Sequence, residues 1–378
     1  MPAKIVYIRG TWRWCRVAHS ERHLAPGRRA IVHQTCTIVC SWSAATAATV
    51  IPGGGLRGRL DSGQFALTAE IGPPRGADPG AIHRKADLLR GWVDAVNITD
   101  NQGAHVRMAS WGGSLLAAQA GIEPVMQVTC RDRNRLALQS DLLAAAALGI
   151  PNVLLMTGDH PKFGDHPDAK PVFDLDGIQL VAAARTMRDE GRLMSGRTLS
   201  SRPGWLIGTV ENPFAPPTEL RAAILGKRVA AGAEFVQTQF VFDVAAFGRW
   251  MAEVRDLGLD ERCRILAGVG PVSSLRALGH LRSLPGLHVP DEVERRLRAV
   301  PADRVAQEGA ALCAEIIEQV RQIPGVSGVH VMAPGHEQAI PGILDRAGLP
   351  RRDAVDGAAA PGPERAGLPS GAGSRRAH

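Results

Sequence analysis

From residue 65 onward eight short apolar runs alternate with amphipathic helical stretches. That alternation limits the chain to two architectures. The apolar runs fall at 65–71, 95–99, 124–130, 153–157, 205–210, 235–242, 265–269 and 328–332. They are short and mostly continuous rather than alternating, as strands buried on both faces are. Helical periodicity fills 81–92, 106–120, 133–148, 175–190, 217–231, 244–257, 274–284 and 310–323, and 287–307 reads as an extra helical insertion. Asp243 and Ser273 stand where N-caps belong, and Gly149, Gly191, Gly232 and Gly258 follow helices as terminating glycines do. Eight strand–helix units build either a closed barrel or an open doubly wound sheet. A dinucleotide-binding open sheet carries Gly-x-Gly-x-x-Gly after its first strand. Here the only such cluster, Gly53 to Gly55, precedes that strand. The chain therefore reads as α/β, a (β/α)8 TIM-type barrel over 64–349.

The flanks have a different character. Residues 1–61 hold nine Lys/Arg against two acids, whereas the remainder holds 35 of each, so the net charge of +7 belongs to the leader. The balanced body excludes a sequence-blind nucleic-acid footprint. Residues 1–63 lack a sustained period, and a transit peptide or an upstream extension has such a composition. We read 1–63 as a basic, disordered extension and 350–378, rich in Ala, Gly, Pro and Arg, as a disordered tail. No apolar run reaches membrane-spanning length. The six cysteines lack paired zinc spacing, and Cys130, Cys263 and Cys313 lie among apolar residues as reduced packing groups. The expected setting is cytoplasmic.

In a barrel of this type the chemistry lies where strands end and the following loops begin. The first strand, FALTAEIGPP at 65–74, delivers Glu70 to a Gly-Pro-Pro break. Later strand ends supply Asn97, Thr99, Asp100 and Asn101; Gln127, Thr129 and Arg131; Thr157, Gly158, Asp159 and His160; Glu211 and Asn212; then Gln237, Thr238 and Gln239. Singly, each has an ordinary explanation as a helix cap or an interior polar residue. Together they need one another, because a buried amide or carboxyl is tolerable only with partners. Gln239 offers both donor and acceptor, which suits the edge of a heterocycle. Glu70 beside Ile71 is expected to hold its proton more tightly than a solvated carboxyl. The loop GDHPKFGDHP at 158–167 carries two His and two Asp, but its Pro and Gly mark a wandering surface loop, and no metal is expected.

Six segments, in order, resemble motifs of the methylenetetrahydrofolate reductase family over about three quarters of the chain. Ala69 to Pro74 stands for its Phe-Glu-Phe-Phe-Pro-Pro, and Val128-Thr129-Cys130 for Leu-Thr-Cys. Thr157-Gly158-Asp159 stands for Arg-Gly-Asp. Lys227-Arg228 with Ala231-Gly232-Ala233 stands for the basic pair and Ala-Gly-Ala. Thr238 to Asp243 stands for Thr-Gln-Phe-x-Phe-Asp, and Pro271-Val272-Ser273 for Pro-Val-Ser. The resemblance implies reduction of 5,10-methylenetetrahydrofolate to 5-methyltetrahydrofolate, with NADH or NADPH as reductant and FAD as carrier. It implies Glu70 as general acid, Asp159 as the acid toward pterin and flavin, and Gln239 as the substrate-binding amide. It also implies Asn97, Gln127, Thr157, Gly158, Asp159, Lys227 and Arg228 as cofactor contacts. The sequence departs from the family at Gln127, where many members have His, at Thr157, where they have Arg, and at 209–213, where Tyr-Pro-Glu-x-His-Pro is expected. Family members are commonly oligomers, so a homo-oligomer is compatible with the resemblance. Two alternatives stay open: a pterin-dependent methyltransferase barrel, for which no corrinoid ligand set is visible, and a non-catalytic folate- or flavin-binding barrel.

Overall fold

A buried parallel strand shows apolar side chains to helices on one face and to the barrel interior on the other, and these strands do both. The computed structural model describes residues 4–8, 11–15, 55–284 and 286–352. Strands β1 (Lys4–Ile8) and β2 (Thr11–Cys15) form an antiparallel hairpin in a unit of their own. Eight further strands follow: β3 (Ala66–Ile71), β4 (Ala95–Ile98), β5 (Pro124–Thr129), β6 (Asn152–Met156), β7 (Leu206–Glu211), β8 (Phe235–Phe240), β9 (Arg264–Val269) and β10 (Val326–Val331). They pair in parallel and in chain order, and β10 returns to β3, closing the barrel. Every residue of β3, β4 and β5 is buried, as both-face burial requires.

Helices α2 (Gly80–Leu89), α3 (Ser110–Gln119), α4 (Arg135–Ala147), α5 (Gly177–Arg185), α6 (Arg221–Ala231), α7 (Val244–Asp256), α8 (Leu275–Ser283) and α10 (Val305–Arg321) follow successive strands or precede the last one. Helix α9 (Asp291–Arg298) is the insertion between α8 and α10, and α11 (Ile340–Arg346) follows β10. Asp243 caps α7 by accepting from the Ala246 amide at 2.8 Å. On α8 the cap is Ser274, which accepts from Ala277 at 3.1 Å, and not Ser273. Gly149, Gly191, Gly232 and Gly258 all take positive φ after their helices.

Three elements lie inside the stretch read as a disordered extension: β1, β2 and helix α1 (Gly55–Asp61). Helix α1 buries Leu56 and Leu60 completely or nearly so. Four residues apart, they share one helix face. They pack with Ala66, Ala95, Val125, Leu154, Leu206, Phe235 and Leu266, residues at the starts of the strands. Helix α1 therefore closes the N-terminal end of the barrel. The Leu56 amide donates to Glu123 Oε1 at 2.9 Å, and Arg59 pairs with Asp94 at 3.0 Å. Residues 55–61 thus belong to the folded body, ahead of the expected start at 64. Residues 1–3, 9–10 and 16–54 of the expected extension, and 353–378 of the expected tail, lie outside the described residues. The tail's first residues are tied in: Arg352 donates to the Phe65 carbonyl at 2.8 Å and to Asp94 at 2.9 Å.

The interior then grades from apolar to polar. Phe235 fills its centre near the plugged end, where a side chain at Gly208 would meet the Phe235 ring at 2.2 Å. One level higher stand Thr68, Asn97, Gln237 and His330, and above them the barrel opens.

Candidate active site

Glu70 sits one residue from the end of β3, just ahead of Gly72-Pro73-Pro74. A proline has no amide to extend the ladder, so the strand stops there and its last inward side chain stands at the mouth. Glu70 is 6% exposed and its Oε1 accepts from Gln102 Nε2 at 2.8 Å. Burial drives its pKa up to about 7, against the opposing pull of Gln102 and Gln127 hydrogen bonds, with the Glu337 carboxylate adding to the rise and Lys85 opposing it. A carboxyl so poised carries a proton at neutral pH for a sizeable share of the time and can give it up.

Beneath it the polar layer is closed on itself. Asn97 Nδ2 donates to Gln237 Oε1 at 2.5 Å, Gln237 Nε2 donates to Asn97 Oδ1 at 3.1 Å and to Thr68 Oγ1 at 3.2 Å, and Thr68 Oγ1 lies 3.0 Å from His330 Nδ1. Burial pushes His330 down to about 3, so the imidazole is neutral.

Strand β8 carries a bulge: Gln237 pairs with Leu266 and Phe240 with Gly268, three steps against two. The hydroxyl of Thr238 fills the gap by accepting from the Gly268 amide at 2.9 Å. The bulge re-aims the strand end, so that Gln237, Thr238 and Gln239 all reach the cavity. After β6, Thr157 Oγ1 accepts from the Gly177 amide at 3.0 Å. Gly158 has φ of +87°, and a Cβ there would lie 2.8 Å from Thr129 Cβ, so the turn demands glycine. Asp159 is exposed at the rim, and its carbonyl accepts from Arg131 at 3.4 Å.

The opposite wall is cationic. The buried Glu211 at the end of β7 meets Arg228 Nε at 3.1 Å and Arg221 at 3.6 Å, both from α6. Arg228 also reaches Thr209 Oγ1 at 3.4 Å. Two guanidinium groups against one carboxylate leave a net positive charge beside the opening.

Together these groups line a cavity of about 400 Å³ at the C-terminal ends of the strands, a size usual for small-molecule sites. Glu70, Gln127, Thr157, Gly158, Asp159, Arg228 and Gln239 all line it. Two of the expected contacts do not. Asn97 is fully buried in the layer below and spends its amide on Gln237. Lys227 is exposed on α6, since the step of one residue from Arg228 turns it about 100° around the helix and away from the wall. Gln102, Arg221 and His330 line the cavity although no motif in the sequence marks them, and Gln237, expected at a strand end, lines it from the layer below. His330 could have been found: it is the penultimate residue of the last strand, as Glu70 is of the first strand of the barrel.

The sequence profile described as methylenetetrahydrofolate reductase matches residues 56–348, most of the chain and the whole barrel. The chain belongs to the methylenetetrahydrofolate reductase family. Among curated relatives it is 25% identical over 301 residues to "Probable methylenetetrahydrofolate reductase (NADPH)" of Caenorhabditis elegans, covering 77% of this chain and 43% of that one. It is 23% identical to "5,10-methylenetetrahydrofolate reductase" of Pectobacterium carotovorum, covering 71% and 85%. The chain thus spans less than half the length of the nematode relative. A relative from Arabidopsis thaliana, 24% identical, bears NADH in its name instead of NADPH. Among solved structures, a Clostridium thermocellum protein described as binding two copies of 5-methyl-5,6,7,8-tetrahydrofolic acid superposes with a TM-score of 0.56 at 12% identity, over 78% of this chain and 99% of that one, a likeness of fold.

The donor set suits a flat heterocycle carrying a diphosphate. Gln127 and Gln239 offer amide edges, the Thr157–Gly158–Asp159 turn offers a backbone surface, and the Arg221–Arg228 wall faces anions. Among the described residues no helix is long and apolar enough to cross a membrane, and no cluster of His, Cys, Asp or Glu could hold a metal ion.

Proposed function

We propose that this protein reduces 5,10-methylenetetrahydrofolate to 5-methyltetrahydrofolate in cytoplasmic one-carbon metabolism, with NADH or NADPH as electron source and FAD as carrier. The observation that carries this reading is Glu70, a buried carboxyl held at about 7 in a cavity otherwise furnished with amides. Opening the five-membered ring of the substrate requires a proton on the departing ring nitrogen. Glu70 supplies it, leaving an iminium whose methylene carbon accepts hydride. Gln239 offers donor and acceptor to the pterin edge. Asp159, at the rim, carries negative charge toward the cationic iminium and the pterin. Thr157, Gly158, Gln127 and Arg228 are the groups that would hold FAD, which when bound supplies a two-electron relay between nicotinamide and folate. The barrel's task is orientation, exclusion of water below the Asn97–Gln237 layer, and placement of one proton.

The test is the visible spectrum of the purified protein under anaerobic conditions, first alone, then with NADH or NADPH, then with methylenetetrahydrofolate. Flavin bands that bleach with the nucleotide and return with the folate are expected. A colourless protein that oxidises the nucleotide only when folate is present would replace FAD by direct hydride transfer. A protein that does neither would overturn the reductase reading in favour of a methyltransferase or a binding barrel.

A further inference from the structure

Behind the Glu70 carboxyl lies an ion pair that the proposed reaction does not use. Lys85 on α2 reaches across with its ammonium, donating to the Gly72 carbonyl at 3.3 Å, two residues beyond Glu70. It pairs with Glu337, in the turn that follows β10, at 2.5 Å. Glu337 is 4% exposed, an unusual burial for a surface-turn carboxylate. Both groups act electrostatically on Glu70, with opposite signs.

An ammonium that acts on a buried carboxyl, as Lys85 does on Glu70 from beside the Gly72 carbonyl, is a hazard to a proton donor. The lysine's four-carbon stem is flexible, and an unpartnered ammonium beside a desolvated carboxyl would strip it of its proton to form a salt bridge. Resting on the reading of Glu70 as proton donor, we infer that Glu337 is a positioning residue for the reaction: it binds the Lys85 ammonium, cancels its charge and so leaves Glu70 protonated. Lys85 in turn fixes the Gly72 carbonyl and with it the strand end that presents Glu70. The pair is a clamp that holds the backbone without ionising the acid.

Apart from Asp159, the other charged groups of the cavity have their own partners, Arg131 being paired with Asp132 at 2.8 Å. Gln102 and Gln127, which bond it from the loop after β4 and from β5, are neutral. His330 on β10 is uncharged. Across the cavity, Asp100 is closed by Arg133, and Glu211 by its two arginines. Asp159, the remaining acid, is exposed at the rim.

The test is a titration of Glu70 in the full-length protein, read by infrared difference spectroscopy of its protonated carboxyl, with Glu70→Gln identifying the band. The pH profile of kcat/KM for methylenetetrahydrofolate reduction is measured in parallel. In Glu337→Gln, which keeps shape and hydrogen-bonding capacity, the Lys85 charge is no longer cancelled. The carboxyl band and the basic limb of the profile should both move to lower pH by about one unit, the scale of a neighbouring charge. In Lys85→Met both should move the other way. Opposite displacements support the inference. No displacement, or displacement of both variants in the same direction, overturns it, because a purely structural clamp would lower activity in both without moving the titration in opposite senses. Should Glu337→Gln not fold, the upward displacement in Lys85→Met decides alone. Full activity in Glu70→Gln would instead remove the proton-donor reading, while the infrared titration would still report on the pair.

Discussion

Asn97 on β4 and Gln237 on β8 stand four strands apart in the eight-stranded ring and join amide to amide across the barrel interior, at 2.5 and 3.1 Å. This pair, with Thr68 and His330, is the floor of the cavity. Asn97→Ala would take from the Gln237 amide both of its bonds to Asn97 and leave only the one to Thr68. The expected loss is about 1–3 kcal/mol of stability, the cost of stranding a buried polar group, read by urea unfolding. A change within about 0.5 kcal/mol, the range of an inert surface substitution, would mean that the layer is held by other contacts.

Glu70 makes stability depend on pH in a direction opposite to most carboxylates. Its folded pKa of about 7 lies above the usual 4.5. Between those values the native state binds the proton that the unfolded chain has released, so stability is present below about 4.5 and is lost as pH rises through 7. Glu70→Gln removes this loss. The variant should match the wild type near pH 4.5 and exceed it at pH 8 by up to about 3 kcal/mol, the equivalent of the pKa difference. Urea unfolding at the two pH values checks this, and a variant less stable than wild type at pH 8 would contradict it.

The imidazole of His330 gives the complementary limb. It is neutral in the native state, with a folded pKa depressed to about 3 from an ordinary 6.5. Protonation of the unfolded chain therefore removes stability as pH falls through 6.5 toward 3. His330→Gln should flatten the acid limb of the stability profile, and an unchanged limb would place the acid sensitivity elsewhere.

Helix α1 plugs the barrel. Leu56→Ala should cost about 2–5 kcal/mol, as buried leucine truncations do. Removing residues 1–62, which takes away α1, should lower the melting temperature well below that of a chain lacking only 1–54. Equal melting temperatures for the two truncations would show that the plug is dispensable.

The α6 wall separates two neighbouring cations. Arg228→Met should raise the Kd for FAD at least about tenfold, equivalent to about 1.4 kcal/mol of lost binding. Lys227→Met, on the exposed face, should change it less than about twofold. The reverse order in FAD titrations of the two variants would exchange their assignments.

The barrel was legible in the sequence because strands buried on both faces are written as unbroken apolar runs, and because terminating glycines such as Gly149 and Gly232 mark helix ends locally. Helix α1 was not. Its seven residues, GLRGRLD, offer two leucines and two glycines, too little for a period, and its burial exists only once the strand starts are assembled beneath it. Seven of the nine expected site residues reach one cavity, since strand ends are defined by chain order. Depth within the barrel is not so defined. Asn97 and Glu70 both point inward, but Asn97 lies lower, at the level of Gln237. The role of Gln102 was hidden because a loop after β4 places it against Glu70, a contact with no sequence period. The π-helical turn Thr186–Glu190 at the end of α5 has no account in these terms.

The most direct measurement is the amount of 5-methyltetrahydrofolate formed from methylenetetrahydrofolate and NADH or NADPH by the wild type and by Glu70→Gln at pH 6.5, with folding of both checked by circular dichroism. The account predicts product from the wild type, in step with nucleotide oxidation, and a loss of at least about a hundredfold in the folded variant, the usual worth of a positioned general acid. Undiminished product from Glu70→Gln would contradict it.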